Sequence, residues 1–317
     1  MVLSSIGLGT AALGRPEYIN IRKEKKILEP VADFRKRSLS TIEYAYKKGI
    51  RYFDTAPGYG LAEELLIDWA KSKQDPTIEI GTKWGYTYTA NFDPNATIHE
   101  VKEHSLSKLN EQWQQSKKFL SNLKIYQVHS ATFESNILTN IEVLERLAEL
   151  KSKYNIDIGI TTSGYNQVDI LQKALQITVS GDPLFDTFQV TYNILDNSIL
   201  QIANILNTHN KKVIVKEALA NGRLLPNPRY KKYAPLYKLL QTIADKYNVG
   251  IDAVAIRFCI DSLKPYKVLS GASNENHIKD NLKALEFNLN PEEIHLLSLY
   301  KTEPKVYWNE RKQLTWN

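Results

Sequence analysis

The stretch Arg51-Tyr52-Phe53-Asp54-Thr55-Ala56-Pro57-Gly58-Tyr59-Gly60 decides how this chain is read. Tyr52 and Phe53 favour a strand, and Pro57-Gly58 is turn chemistry. Beyond Gly60, Leu61, Leu65 and Trp69 recur at helical spacing, so a helix with one apolar face follows. Asp54 therefore stands at the carboxyl end of a strand, with Tyr59 in the loop after it. In an α/β barrel that end of the strands is where ligands bind and chemistry is done. Taken alone, the stretch also fits an ordinary turn with Asp54 as turn-former and Tyr59 half-buried. The rest of the chain separates the two readings.

The strand-then-helix alternation repeats. Strands are predicted at residues 5–12, 52–56, 78–83, 125–129, 156–161, 188–192, 212–216 and 268–270, with helical patterns between them. Ser40-Thr41-Ile42-Glu43 reads as a capping box opening a helix that stops at Gly49. A polar-faced helix is predicted from about Thr97 to Asn122, and an appended one starts at Pro291. Repeated βα units imply a parallel sheet. Eight of them in 317 residues imply a (β/α)8 TIM barrel, one domain over residues 1–317 with an appended C-terminal helix and tail from about 291. A doubly wound open sheet is the alternative. Its fingerprint, G-x-G-x-x-A, occurs at Gly7 to Ala12, but Gly14 and Pro16 break the helix that the motif needs. Glycines there instead let backbone lie close to a ligand. Residues 15–37 read as a polar, charged insertion with little periodicity, either an ordered loop over a pocket or a mobile one.

Composition excludes several classes. The chain is 43% hydrophobic and 24% charged, ordinary for a globular protein. Its net charge of +6 is scattered apart from Arg22 to Lys26, not gathered into the basic face a nucleic acid requires. Cys259 is the single cysteine, which rules out an intrachain disulfide and a Cys-based metal site and fits a cytoplasmic setting. The first residues lack a signal peptide's basic start and apolar core, and no apolar run is long enough to span a bilayer. His99 and His104, five apart on the predicted helix, read as surface residues; with His209 and His295 they are not arranged as metal ligands.

The carboxyl ends of the second, third and fourth strands bring four polar types to one rim: Asp54 with Tyr59, then Lys83, then His129. Each has an ordinary explanation by itself, but four at successive strand ends form a tuned proton donor. A free phenol titrates near 10. An ammonium beside it, Lys83, is expected to lower that pKa. Asp54 would offset the cost of burying Lys83, and His129 would orient the substrate oxygen. The chemistry is general acid catalysis at a carbonyl receiving a hydride.

These residues resemble the catalytic tetrad of the aldo-keto reductases, and the likeness runs from about Ser5 to Leu289. The resemblance implies a barrel, an NADP(H) cofactor held without a dinucleotide fold, no metal, and reversible reduction of a small-molecule carbonyl or oxidation of an alcohol. Tyr59 would be the acid, Lys83 and Asp54 its tuning pair, and His129 the orienting group. Trp84, beside Tyr59 and His129, is expected to wall the substrate pocket. Cofactor contacts carry over to Gly9, Thr10 and Asp54, to Gln189 as the amide-binding Gln, and to Ala218, Leu219, Gly222 and Arg223 in the loop across the pyrophosphate. They also carry over to Gly271, Ser273, His277, Asp280 and Asn281 around the adenosine, at a helix start that favours phosphate.

The chain departs from the family pattern in three places. The fifth strand ends Gly159-Ile160-Thr161-Thr162 where relatives have Gly-Val-Ser-Asn; Thr161 can replace the Ser hydroxyl, but Thr162 cannot copy an Asn amide. Lys216 stands where many relatives stack an aromatic on the nicotinamide. Gly271 and His277 replace the Lys and Arg that clamp the 2′-phosphate, which brings NAD(H) in as an alternative to NADP(H). Two other functions fit the same residues: a cofactor-binding regulatory or redox-sensor subunit with little turnover, and a lyase or isomerase using Asp54, Tyr59 and Lys83 without nicotinamide. The pocket is expected to be shaped by residues 15–37, 84–97 and 131–136 and by the tail with Trp308 and Trp316.

Overall fold

The computed structural model describes residues 4–16, 21, 29–93 and 96–314. The basic run 22–26, residues 17–20 and 22–28 of the predicted insertion, and Trp316 lie outside the described residues. Eight parallel strands close into a barrel: Ile6–Gly9, Tyr52–Asp54, Glu79–Trp84, Leu123–Ala131, Asp157–Thr162, Thr187–Thr191, Lys212–Lys216 and Lys267–Ser270. They are called the first to eighth strands below. They pair in chain order, and the eighth pairs back onto the first, with Ile6 opposite Val268. Helices follow the strands and pack outside, so the main core lies between barrel and helix layer.

Inside the barrel, Tyr52, Ile125, Ile214 and Leu269 form a separate apolar layer beneath the mouth. The Tyr52 ring takes its place because its neighbours lack a Cβ. A Cβ on Gly81 would lie 2.1 Å from the Tyr52 hydroxyl, and one on Gly7 would lie 2.7 Å from its ring. The Leu61, Leu65, Trp69 pattern becomes the helix Ala62–Lys73, with Leu65 and Trp69 buried.

Three local expectations are corrected. The helix predicted to open at Ser40 spans Val31–Lys47, with Phe34, Ser38, Thr41, Ile42 and Ala45 buried along one face. Ser40 caps nothing; its hydroxyl donates to Glu275 (2.8 Å). That apolar spacing extends the helix past the local capping signal. The predicted helix from Thr97 begins only at Leu106, with the Ser105 hydroxyl accepting from the Lys108 amide (3.1 Å). Before it, Glu100–Lys102 pairs antiparallel with Tyr86–Tyr88, making a hairpin beside the barrel mouth. At the C-terminus, the helix Pro291–Ser298 is followed by a second, Pro304–Lys312, not foreseen from the sequence. No helix among the described residues is long and apolar enough to cross a membrane.

Candidate active site

Register brings the predicted residues together. Gly9 lies opposite Asp54, Asp54 opposite Gly81, and Lys83 opposite Gln127. Strand alternation then sends Asp54, Lys83, Gln127 and His129 to the inward face. Lys83 is fully buried and ion-paired with Asp54 Oδ1, and it donates to the Thr55 carbonyl (3.0 Å). Asp54 Oδ2 accepts from Gln189 Nε2 (2.8 Å) and Gln127 Nε2 (3.4 Å). Burying two charges is costly unless both are paired and hydrogen-bonded. The two glutamines supply those further bonds.

Tyr59 ends the short 3-10 turn Pro57–Tyr59. Gly60 follows with φ +61°, and a Cβ there would sit 2.4 Å from the Gly14 carbonyl, so only glycine fits. Arg15 fastens this loop, donating to the Gly58 carbonyl (2.9 Å) and to Glu100 of the hairpin (2.8 Å). The Tyr59 hydroxyl comes to 3.5 Å from His129 Nε2. Lys83 Nζ lies 4.9 Å from the centre of the Tyr59 ring. Tyr86 of the hairpin also packs against His129, ring centres 4.7 Å apart.

Burial, and then the Asp54 carboxylate, push the Tyr59 phenol well above its ordinary value. The net shift is upward, so the expected lowering by Lys83 does not prevail against burial and the Asp54 carboxylate. Burial, with Lys83 and Arg15 adding to it, holds His129 well below 6.5, so its imidazole is neutral. In this state Tyr59 is a protonated phenol facing a neutral imidazole, both partly open to the barrel mouth.

A cleft of about 580 Å³ starts at Asp54, Tyr59, Gln189 and Lys216 and reaches the start of the helix Glu275–Leu282. Gly9, Ala218, Leu219, Gly222, Gly271, Ser273, His277, Asp280 and Asn281 line it, as the sequence anticipated. Along its wall Glu217, Asn221 and Gly222 have positive φ, as does the buried Ala220 between them. Such backbone is costly for non-glycine residues and gathers at functional sites. At the far end Arg37 donates to the Ser273 carbonyl (3.0 Å) and to Glu29 (3.1 Å), and both side chains line the cleft.

Several predicted residues lie elsewhere. Thr10 is buried, and its hydroxyl donates to the Asp54 carbonyl (3.0 Å), tying the first strand to the second. The Thr161 hydroxyl accepts from the Ser130 amide (2.7 Å), and Thr162 is buried beside it in the strand. Arg223 is fully buried and donates to the carbonyls of Ala220 (2.9 Å) and Tyr307 (3.0 Å), so it anchors the C-terminal helix outside the cleft lining. Trp84 is buried in the core and does not wall the pocket; as Lys83 points inward, its strand neighbour points outward. Trp308 is buried, with its ring 5.9 Å from Lys216 Nζ. His104 is not a surface helical residue: it is buried, and its Nε2 bonds the His129 carbonyl at 2.9 Å. Arg15 and Tyr86 fall in segments expected to shape the pocket but were not singled out, and Gln127 was not anticipated as a site residue. Gln127 was within reach, since it shares the inward face with His129 two residues on.

The family model described as the aldo/keto reductase family matches residues 5–298. The chain belongs to that family. Among its relatives, the L-galactose dehydrogenase of Arabidopsis thaliana is 24% identical over 295 residues, covering 89% of this chain and 84% of that protein. The NADH-specific methylglyoxal reductase of Escherichia coli (strain K12) is 23% identical, covering 94% of each. Among solved structures, the aldo-keto reductase AKR11C1 from Bacillus halodurans in its holo form superposes with a TM-score of 0.70 at 21% identity, covering 95% of this chain and 93% of that one. The protein is thus an aldo/keto reductase-family oxidoreductase with the family's closed (β/α)8 barrel.

Proposed function

We propose that this family member is a nicotinamide-dependent reductase of a small aldehyde or ketone, with Tyr59 as general acid and as base in reverse. The observation that carries the reading is the Tyr59 hydroxyl, kept protonated by burial, 3.5 Å from His129 and above the buried Lys83–Asp54 pair. The cleft fits an extended dinucleotide: it is open, it begins beside Tyr59, and its glycines leave room, since a Cβ on Gly271 would meet nothing within 4 Å. When bound, the nicotinamide supplies a hydride to the carbonyl carbon. Tyr59 gives its proton to the carbonyl oxygen, and Lys83, 4.9 Å from the ring, favours the phenolate that this leaves. His129, neutral, holds the oxygen on the line to Tyr59. Gln189 has one amide hydrogen engaged on Asp54 and faces the cleft, where it would orient the ring's carboxamide. Asp280 and Asn281 would meet the adenine, and Ser273 and His277 the adenosine phosphate.

NADP(H) is the proposed cofactor, because Arg37 brings a cation to the cleft's far end where Gly271 and His277 bring none. Glu29, paired with Arg37 there, favours the second reading, NAD(H), since its carboxylate opposes a 2′-phosphate. The single, buried Cys259 supports action in the cytoplasm. Fluorescence titration with NADPH and with NADH, followed by a carbonyl panel, tests the proposal. Tight binding of either cofactor with turnover supports it. Tight binding without turnover would make the protein a redox sensor, and binding of neither would leave the lyase reading.

A further inference from the structure

Lys216 has no part in the proton transfer drawn above, yet it lines the cleft beside Asp54, Tyr59 and Gln189. It ends the seventh strand opposite Thr191. Its ammonium donates to the Thr191 hydroxyl (2.9 Å) and lies 3.4 Å from the Ser163 hydroxyl, two neutral partners. Glu217 is the nearest carboxylate at 4.0 Å, but Arg311 of the C-terminal helix already holds it, through Nε (2.8 Å) and Nη2 (2.6 Å). The cleft wall at its reactive end therefore presents an anchored cation whose nearest counter-charge is shared.

A reduced nicotinamide ring is neutral and an oxidised one carries a positive charge. A fixed ammonium leaves the first undisturbed and repels the second. On the nicotinamide reading given above, we propose that Lys216 sets the redox preference of the site: it weakens binding of the oxidised cofactor relative to the reduced one. By linkage, it raises the reduction potential of the bound couple. Relative to a site without the cation, the equilibrium on the protein then shifts toward hydride acceptance from an alcohol, the reverse of the reduction.

The preference should fade in alkali. Burial lowers Lys216 to about 8, while its own carboxylate neighbour Glu217 is held at about 2, with burial opposed by Arg311 and Lys216. The other charged groups that act on Lys216 are Lys83 from the third strand, Asp196 from the loop after the sixth, and Arg311 from the C-terminal helix; His129 from the fourth strand is acted on by Lys216 in turn, and Asp54 and Tyr59 line the cleft beside it. His129 is already neutral, and Glu217 already ionised, between pH 6.5 and 9.5.

The test is to measure dissociation constants for oxidised and reduced cofactor by calorimetry at pH 6.5 and 9.5, in the full-length protein and in Lys216→Met and Lys216→Arg. At pH 6.5 the oxidised-to-reduced ratio should be about tenfold higher in the native protein than in Lys216→Met, a small part of the Coulomb repulsion of two like charges a few ångströms apart. At pH 9.5 the native ratio should fall to that of Lys216→Met, while Lys216→Arg keeps the high ratio at both values. Binding of oxidised cofactor near pH 8 should also release protons, and binding of reduced cofactor should not. Equal ratios in all three proteins would overturn this proposal and leave the reductase reading intact. Binding of neither cofactor to the native protein would overturn both. If Lys216→Met does not fold, the native pH dependence and Lys216→Arg still decide.

Discussion

The two ends of the cleft are built differently. At the barrel mouth, inward-pointing side chains from neighbouring strands hold each other: Asp54 engages Lys83, Gln189 and Gln127, and Tyr59 faces His129. At the far end, the backbone turn around Ser273 meets the Glu29–Arg37 pair, contributed from a distant part of the chain. The mouth is over-determined: removing any partner leaves a buried polar group unsatisfied. The far end is half-exposed and can exchange one charge for another at little cost. Chemistry needs the first kind of construction, and the choice of cofactor tolerates the second.

The largest expected effect breaks the mouth's chemistry without touching its structure. Tyr59→Phe removes the proposed proton donor and keeps the ring over Lys83. Carbonyl reduction should fall about 10²- to 10⁴-fold in kcat, with cofactor affinity almost unchanged by titration. Undiminished turnover would remove Tyr59 from the acid role and, with it, the contrast between a chemical end and a selective end.

Lys83→Met tests whether the mouth is as tightly paired as its distances imply. It strands the Asp54 carboxylate in the barrel, where losing the partner of a buried pair costs about 3–5 kcal/mol. Urea denaturation should show that loss. A loss near zero would mean that Asp54 is solvated and that the mouth is no more rigid than the far end.

Just outside the mouth, Glu63 braces the third strand from the helix layer, accepting from Thr82 (2.7 Å) and Ser116 (2.9 Å). Burial raises it from 4.5 to about 7, against the hydrogen bonds of Thr82 and Ser116. The folded protein thus holds this proton more tightly than the unfolded chain. Its contribution to stability is complete below about 4.5 and is lost as pH rises through about 7. At roughly 1.4 kcal/mol per pKa unit, the loss is about 3 kcal/mol. Glu63→Gln should abolish this pH dependence and be the more stable protein at pH 8. Parallel stability curves for the two proteins would show that Glu63 stays ionised or is reached by water.

The same contrast explains what the sequence disclosed. A short strand of strand-forming residues followed by a turn and an amphipathic helix can be read from Tyr52 to Trp69, and register makes the neighbouring strand ends converge, so the barrel and the meeting of Asp54, Tyr59, Lys83 and His129 were legible. Gln127 obeys the same alternation. Side chains whose direction depends on packing were not legible. Trp84 follows Lys83 in sequence but faces the opposite side of the strand, and Arg223 follows a glycine loop but turns back to the helix Pro304–Lys312. His104 reads as helical from sequence because the hairpin Tyr86–Tyr88 with Glu100–Lys102 depends on a pairing partner twelve or more residues away, which no local pattern reveals. The pair Glu29–Arg37 bridges a helix and a loop with no shared periodicity.

That pair yields the smallest effect and the most direct probe of the far end. Arg37 is tied to the Ser273 carbonyl, so its position holds when Glu29 is changed. Glu29→Gln removes a carboxylate from the cleft wall and frees the guanidinium for a phosphate, which it can meet with two parallel hydrogen bonds. The NADPH-to-NADH ratio of dissociation constants should fall about tenfold, the scale of one partly exposed charge beside a dianion. Arg37→Ala should move the ratio the other way by a similar factor, with kcat on a saturating carbonyl unchanged in both variants. If instead either substitution lowers kcat as Tyr59→Phe does, the two ends are mechanically coupled, and the division between a rigid chemical end and an exchangeable selective end fails. If neither moves the ratio, the 2′ position of the ribose lies elsewhere, and the helix start at His277 becomes the site to alter.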